Sequence, residues 1–408
     1  MKKLVITGMG AITPVGNSVK EYWESLVAGK SGVGMITKFD ASEIPVKIGA
    51  EVKDFNPEDY MNKKLARELD PFMQYAYAAA EEALKDSGLT IEPGNTGIVL
   101  GTAMDGIRTV AETQADYSTG AVKKVSPRFV PKMLGNIGAA QIAIAHNITG
   151  PSMTINTACS SGADAITLAA MFIQSGASDA MIAVGGDSAL CPVVMAGLAT
   201  AKALSTNENP DGACRPFDKN RDGFIMGEGG GAMIIETEEH AKARGAKIYA
   251  ELAGYANNTD GHHVTSPHPD GIGAVKCMKD AMAMGNINPD DVGYINTHGT
   301  STPSGDIIET KSIKTVFGDH AYDMLINSTK SMTGHMMGAG GITEAIACVM
   351  AIREGIVPPT INYEVPDEDC DLNYVPNKAI KREINVAISN ALGFGGQNAA
   401  IAIRKYND

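Results

Sequence analysis

The chain has 408 residues, 34 basic against 47 acidic side chains, and a formal charge of −13. With 44% hydrophobic and 20% charged residues it can bury a core without disulfide staples, so intrinsic disorder is excluded. The acidic balance excludes a general nucleic-acid binder, whose footprint would be basic. At roughly 150 residues per domain, the length predicts two or three domains or one large fused unit.

In chain order, Leu4–Thr7 reads as a strand and turn: Gly8 and Gly10 interrupt the apolar run, which argues against a signal peptide. Ser18 with Glu21 forms a capping-box pattern for a helix that stops at Gly29. Asp70-Pro71 starts another helix, running to Gly88. Thr96–Leu100, Ser152–Thr157, Ala180–Gly185 and Gly231–Glu236 are short apolar runs bounded by turn residues, the pattern of buried strands. Ile248–Ala256 and Val292–Asn296 read as strands, Asp306–Phe317 and Thr343–Glu354 as helices ending at Gly318 and Gly355. Asn385–Ala391 and Ala399–Arg404 read as strands joined through a glycine-rich hairpin. The alternation predicts an α/β protein. The basic stretch His240–Lys247 is the candidate boundary, giving halves 1–248 and 249–408. A slight internal match, Ile155-Asn156-Thr157 beside Ile295-Asn296-Thr297, hints at duplication. No apolar run approaches ~18 residues, so no membrane insertion is expected.

Six cysteines lie without paired spacing, which predicts free thiols in a reducing cytoplasm and no zinc framework. Cys159 stands apart. It lies after a strand and before the helical run Ala163–Ile173, where the helix dipole is expected to favour thiolate. Position alone leaves nucleophile and buried structural thiol evenly balanced. His298, after a predicted strand, and His335, before a predicted helix, both sit beside glycine in what read as strand-end loops. Gly393-Phe394-Gly395-Gly396 on its own reads as a hairpin turn, with the alternative that it aims an N–H at developing negative charge. With neither a dinucleotide fingerprint nor a ligand cluster, no redox cofactor and no catalytic metal is expected.

Together, Asn156–Gly162 around Cys159, His298-Gly299-Thr300-Ser301-Thr302-Pro303 and Lys330-Ser331-Met332-Thr333-Gly334-His335 resemble the thiolase-like condensing enzymes. Within these, the chain is most similar to the elongating β-ketoacyl-acyl carrier protein synthases of bacterial fatty-acid synthesis. Val5–Gly10, Arg215–Asp218, Arg221–Phe224 and Val357–Asn362 extend the resemblance nearly end to end. It implies a five-layered αβαβα fold of two similar halves, a homodimer, and decarboxylative condensation of an acyl thioester with malonyl-carrier protein. Cys159 would carry the acyl chain, and neutral His298 and His335 would bind the enolate. The N–H groups of Cys159 and Phe394 would form the oxyanion hole. Lys330 and Glu344 would pair beside the site. Thr300, Thr302 and Thr265 would contact substrate, the first two through its phosphopantetheine arm, with Met104 and Leu198 at the acyl pocket. Asn390 matches a position near a monovalent cation in some relatives, the one ion the resemblance adds.

The chain departs from the pattern at Leu392, Gln397, Met104 and Leu198, so gating and chain length do not transfer, and a polyketide or specialised-lipid pathway stays open. A thiolase would need a second cysteine near Gly393–Gly396, and a chain-length subunit would lack Cys159; neither fits. The acidic carrier needs a basic patch, and Lys64, Arg67, Lys123, Lys124 and Lys202 match docking positions, expected to converge at the entrance; Glu68 replaces a basic residue.

Overall fold

Ten strands form one mixed sheet built from two five-stranded arrays of the same topology. The computed structural model describes residues 1–120 and 125–407, so the Lys123 and Lys124 docking assignments lie outside the described residues. The first array comprises β1 (Leu4–Ile12), β2 (Thr96–Gly101), β3 (Ser152–Ile155), β4 (Ala180–Asp187) and β5 (Gly229–Thr237). The second comprises β6 (Ala250–Thr259), β7 (Val292–Asn296), β8 (Leu325–Asn327), β9 (Val386–Gly393) and β10 (Gln397–Arg404). The spatial orders are β3-β2-β4-β5-β1 and β8-β7-β9-β10-β6, and β1 pairs with β6 to join them. Each array has parallel pairs at its far side and antiparallel pairs toward the junction.

This topology shows the duplication but corrects the peptide match that hinted at it. Ile155 ends the third strand of its array, whereas Ile295 lies in the second strand of the other. Cys159 therefore corresponds in position to the segment after β8, which carries Lys330, and His298 to the segment after β2.

The strands alternate between layers because successive side chains point to opposite faces. Met181, Ala183, Met233 and Ile235 face a central core that also takes Ala387, Ile401 and Ile403 from the second array. Their neighbours Ile182, Val184 and Ile234 face α1 (Pro71–Ser87) on one outer side. Ile388, Ala400 and Ala402 face α3 (Ile272–Met284) and α4 (Pro303–Phe317) on the other. Between the arrays lie α2 (Ser161–Gln174) and α5 (Gly340–Glu354). The layers are thus helix, sheet, helix, sheet, helix, the thiolase-like arrangement.

Glycine sets the spacing of these layers. Gly8 and Gly10 do not end β1, as the sequence suggests; the strand runs on to Ile12 with a bulge between Ile6 and Gly8. A Cβ on Gly10 would lie 1.9 Å from the Ala79 carbonyl oxygen, and one on Gly8 2.3 Å from that of Ala83. These glycines let α1 approach the strand. At the centre, a Cβ on Gly162 would lie 2.5 Å from the Gly338 carbonyl oxygen, and one on Gly341 2.5 Å from the Ala163 nitrogen. The Ser18 cap forms as expected, although Glu21 reaches back to the N–H of Asn17. α1 ends at Gly88 in the left-handed conformation.

Candidate active site

Cys159 sits on a sharp turn between β3 and α2. Ala158 takes φ +51°, unusual for a residue with a Cβ, and local bonds hold it there. Asn156 Oδ1 accepts the Ala158 N–H, and Ser161 Oγ accepts the Thr157 N–H while donating to the Ala158 carbonyl. Asp164 accepts from Thr157 and Ser160. The turn presents the sulfur at the foot of a cleft of about 280 Å³, whose lining includes His298, His335, Thr300, Thr302 and Thr265.

His298 follows β7 directly. Its N–H and that of Gly299 both donate at 2.8 Å to the buried Glu309 carboxylate on α4. His335 is not at a strand end, contrary to the sequence reading: β8 stops at Asn327 and a short helix, Lys330–Thr333, intervenes. Its backbone is instead clamped by the Ile225 carbonyl and the Gly227 N–H. The ring packs edge-on against Phe224 at 5.2 Å and against His298 at 5.3 Å. One ligating atom from each of Cys159, His298 and His335 lies within 4.8 Å of the others.

His335 Nδ1 accepts the Met337 N–H at 3.3 Å, while its Nε2 is buried without any partner. A neutral ring whose Nδ1 accepts carries its proton on Nε2. That donor is unsatisfied and available to a ligand, a costly state for a buried group in the free protein. Burial, reinforced by the Lys330 cation, holds both imidazoles well below the usual histidine range, so they stay neutral at physiological pH.

The same burial overturns the thiolate expectation for Cys159. Removal from water pushes its thiol up to about 11, outweighing the Phe394 N–H that contacts it and the Lys330 cation. A dipole at a helix start does not offset the loss of hydration at a buried sulfur. Lys330 is itself 2% exposed and forms a buried ion pair with Glu344, which leaves neither charge uncompensated.

The glycine loop is a hairpin, Gly393 pairing with Gln397, and it also reaches the nucleophile. A Cβ on Gly393 would lie 2.8 Å from the Thr157 carbonyl oxygen and 3.3 Å from the Cys159 nitrogen, so glycine admits the loop there. Gly395 and Gly396 take φ +85° and +71°. Leu392 lines the cleft.

Among the other assigned residues, Thr300 and Thr302 share a 3.1 Å hydroxyl contact in the cleft, and Thr265 is exposed on its wall. Met104 and Leu198 are absent from the cleft lining. They pack instead around the apolar cluster in which Cys159 is embedded. Lys202 lines the mouth; Lys64 and Arg67 are exposed on the helix Lys63–Glu68 and are not part of the cleft. The expected convergence at the entrance is thus seen for Lys202 alone among the described residues. Glu68 is paired with Arg128 at 3.2 Å, which neutralises that departure.

The Asn390 side chain donates to Glu309 and to the Met278 sulfur, so its amide is already engaged. Asn296, on β7 and opposite Ser389 in register, has both Oδ1 and Nδ2 buried without partners. A monovalent cation would suit an amide oxygen such as Asn296 Oδ1, and the contacts at Asn390 engage only its Nδ2.

Sequence reasoning missed Asp306 and Glu309. Both lie on the stripe of α4 that also buries Ile313 and Phe317. Acids on an apolar helical stripe are the signal that could have exposed them. Asp306 accepts the Phe217 N–H and lies 3.7 Å from Arg221, which in turn donates to the Thr302 and Pro303 carbonyls and steadies the threonine loop.

A buried thiol facing two neutral imidazoles, on a doubled sheet of thiolase-like architecture, defines a condensing-enzyme centre. Residues 1–241 match the family described as beta-ketoacyl synthase, N-terminal domain, and residues 249–364 match beta-ketoacyl synthase, C-terminal domain. The chain belongs to the beta-ketoacyl synthase family. It is 45% identical to 3-oxoacyl-[acyl-carrier-protein] synthase 2 of Synechocystis sp., over 99% of this chain and 98% of that one. The protein of the same name from Coxiella burnetii is 44% identical over 100% of this chain and 99% of its own. Among solved structures, a type II PKS ketosynthase bound to the hexaketide, in complex with its acyl-carrier protein, superposes with a TM-score of 0.92 at 33% identity, covering 100% of both chains. A beta-ketoacyl synthase from Burkholderia phymatum superposes with a TM-score of 0.90 at 31% identity, again covering 100% of both.

Proposed function

We propose that the chain is an acyltransferase, a 3-oxoacyl-[acyl-carrier-protein] synthase of the second type, condensing a cysteine-bound acyl group with malonyl-carrier protein in fatty-acid elongation. The observation that carries this reading is the meeting of the Cys159 sulfur with two neutral imidazoles, one offering an unpartnered Nε2–H. The Synechocystis and Coxiella relatives bear the name of that activity.

In the first half-reaction the Cys159 sulfur attacks the acyl carbon. Because the thiol is protonated at neutral pH, its proton leaves as the C–S bond forms, and a neutral imidazole is the acceptor at hand. The oxyanion is held by the N–H groups of Cys159 and Phe394, and the carrier thiol departs with a proton. Malonyl-carrier protein then loses carbon dioxide. The electron pair of the breaking C–C bond moves into the thioester as an enolate, to which His335 Nε2–H and His298 donate. The enolate carbon attacks the acyl-Cys159 carbonyl, and collapse of the tetrahedral oxyanion breaks the C–S bond. The expelled sulfur takes up one proton from solvent and the resting thiol is restored. Burial, to which the Lys330 cation adds, keeps the resting imidazoles unprotonated and so fit to donate to the enolate.

Incubation with acyl-carrier protein should add one acyl mass to intact protein, on Cys159. Malonyl-carrier protein should then release carbon dioxide and a 3-oxoacyl product two carbons longer. An acyl adduct elsewhere, or no product, would refute the reading. A panel of acyl lengths also tests a second reading, a dedicated polyketide or specialised-lipid pathway, which is favoured by Leu392 at the cleft wall.

Carrier docking at Lys202, Lys64 and Arg67 is supported by their exposure and by the position of Lys202 at the mouth. Lys202→Glu is expected to raise KM for carrier-bound substrate severalfold and leave turnover of a small thioester surrogate unchanged, since rim charges act on encounter. An unchanged KM would remove Lys202 from the docking surface. Homodimer formation is supported by the sheet edges. The β8 edge is covered, the Ile326 N–H donating to Asn373, whereas β3 leaves Ser152 and Met153 exposed. An open edge that pairs with its own copy closes by two-fold symmetry. No helix among the described residues is long and apolar enough to cross a membrane. The cytoplasmic setting is proposed from the carrier-protein activity that the relatives' name bears. A monovalent cation at Asn296 and a division at 248/249 complete the reading.

A further inference from the structure

Asp187 ends β4 directly behind the nucleophile and is fully buried. Its carboxylate gathers four donors from both halves of the chain. Thr102 Oγ1 donates at 3.1 Å, the Ala103 N–H at 2.8 Å and the Met104 N–H at 3.0 Å, all from the segment after β2. The fourth, the Gly338 N–H at 2.6 Å, comes from the turn between His335 and α5. Only glycine fits there, since a Cβ on Gly338 would lie 2.6 Å from Asp187 Oδ2 and 2.8 Å from the Thr102 Cα.

The turn that Gly338 anchors is strained. Met337 takes φ +48°, a conformation a long side chain adopts only when its surroundings impose it. In that conformation the Met337 N–H points back to His335 Nδ1 at 3.3 Å. That bond is the one that places the imidazole proton on Nε2. The His335 backbone is fixed separately by Ile225 and Gly227, so its position and its tautomer have different supports.

We propose that Asp187 is a positioning residue for His335: by holding Gly338 it keeps Met337 in the left-handed turn and so keeps the His335 proton on Nε2, facing the cleft. It acts through main-chain donors and touches no substrate. Water exclusion pushes its carboxyl up to about 7, and the four donors oppose that shift, as expected for a group kept for its acceptor capacity.

The test uses Asp187→Asn in the full chain with ¹⁵N-histidine labelling. The two carboxylate oxygens each serve a pair of donors, Thr102 and Met104 on Oδ1 and Ala103 and Gly338 on Oδ2. An amide has one oxygen for these two pairs and sets its NH2 against the N–H groups of the other, which disturbs the cluster that holds Gly338. The ¹⁵N shifts of His335 are expected to move from the Nε2–H form toward a mixture of tautomers. Malonyl decarboxylation is expected to fall up to about 10²-fold, as for a catalytic group displaced by an ångström, while Cys159 acylation changes less than about threefold. Thr102→Val, which removes a donor to the same carboxylate without touching Gly338, should leave both rates near wild type. Asp187→Ala, which removes both acceptor oxygens without adding bulk, carries the same expectations whether or not Asp187→Asn folds. Unchanged His335 shifts, or equal loss of both partial reactions, would overturn the proposal. The kinetic arm rests on the condensation reading; the spectroscopic arm needs no substrate and so stands or falls separately.

Discussion

Cys159→Ala is expected to abolish condensation, and Cys159→Gln to abolish it while leaving malonyl decarboxylation measurable. The two substitutions share the loss of the sulfur but differ in what fills the cleft floor. Without the sulfur no acyl-enzyme forms, and the route through two easier displacements is closed. Residual product should lie at the assay floor. Glutamine places a planar carbonyl where the acyl thioester would stand, within reach of the N–H groups of Cys159's own position and Phe394. The carbonyl mimic satisfies the oxyanion donors and leaves both imidazoles free for malonyl-carrier protein. Carbon dioxide release by Cys159→Gln, with no 3-oxoacyl product by mass spectrometry, is the result that checks this. Condensation by either variant would remove the nucleophile assignment.

His335→Ala should separate the half-reactions in the opposite sense. The enolate gains charge on its oxygen only after carbon dioxide begins to leave, so a donor aimed there stabilises the transition state more than the bound substrate. Removing one such donor typically costs about 10²–10³ in rate. Cys159 acylation does not use that donor, and intact mass should still show the adduct. Carbon dioxide release at the wild-type rate would show that the enolate rests on other groups. The variant should also be no less stable than a simple cavity predicts, because it removes an Nε2–H that has no partner in the free protein.

Much of the fold was legible because the buried strands are written as short β-rich apolar runs: Val292–Asn296 is found where the sequence puts it, and the C-terminal pair forms the expected hairpin. β1 was misread because Gly8 and Gly10 look like turn residues, and only the neighbouring helix shows that they serve close packing. Local sequence cannot report a distance to Ala79. α3 was missed because its buried face is written largely in small residues, Gly273, Ala274 and Ala281, which pack closely on β6, the strand just before it, and on β10. The site residues were legible as motifs, but their physics was not. The buried state of Cys159 depends on a cluster assembled from Ile44, Leu190, Met226 and Met337, which no local spacing reveals. The same cluster explains why Met104 and Leu198 lie behind the sulfur and not along the entrance.

The glycine contacts of α2 with α5 and with the turn that precedes it constrain how the molecule can yield to a long substrate. With Gly162 against Gly338 and Gly341 against Ala163 at backbone distance, the two halves have no slack for a hinge, and rotating one against the other would drive main chain into main chain. Compliance must be local: the swing of a few hairpin residues and rotamer changes in thioether and leucine side chains. Such side chains are soft where the scaffold is stiff. The length of chain accommodated is then decided by how far a handful of apolar groups can step aside.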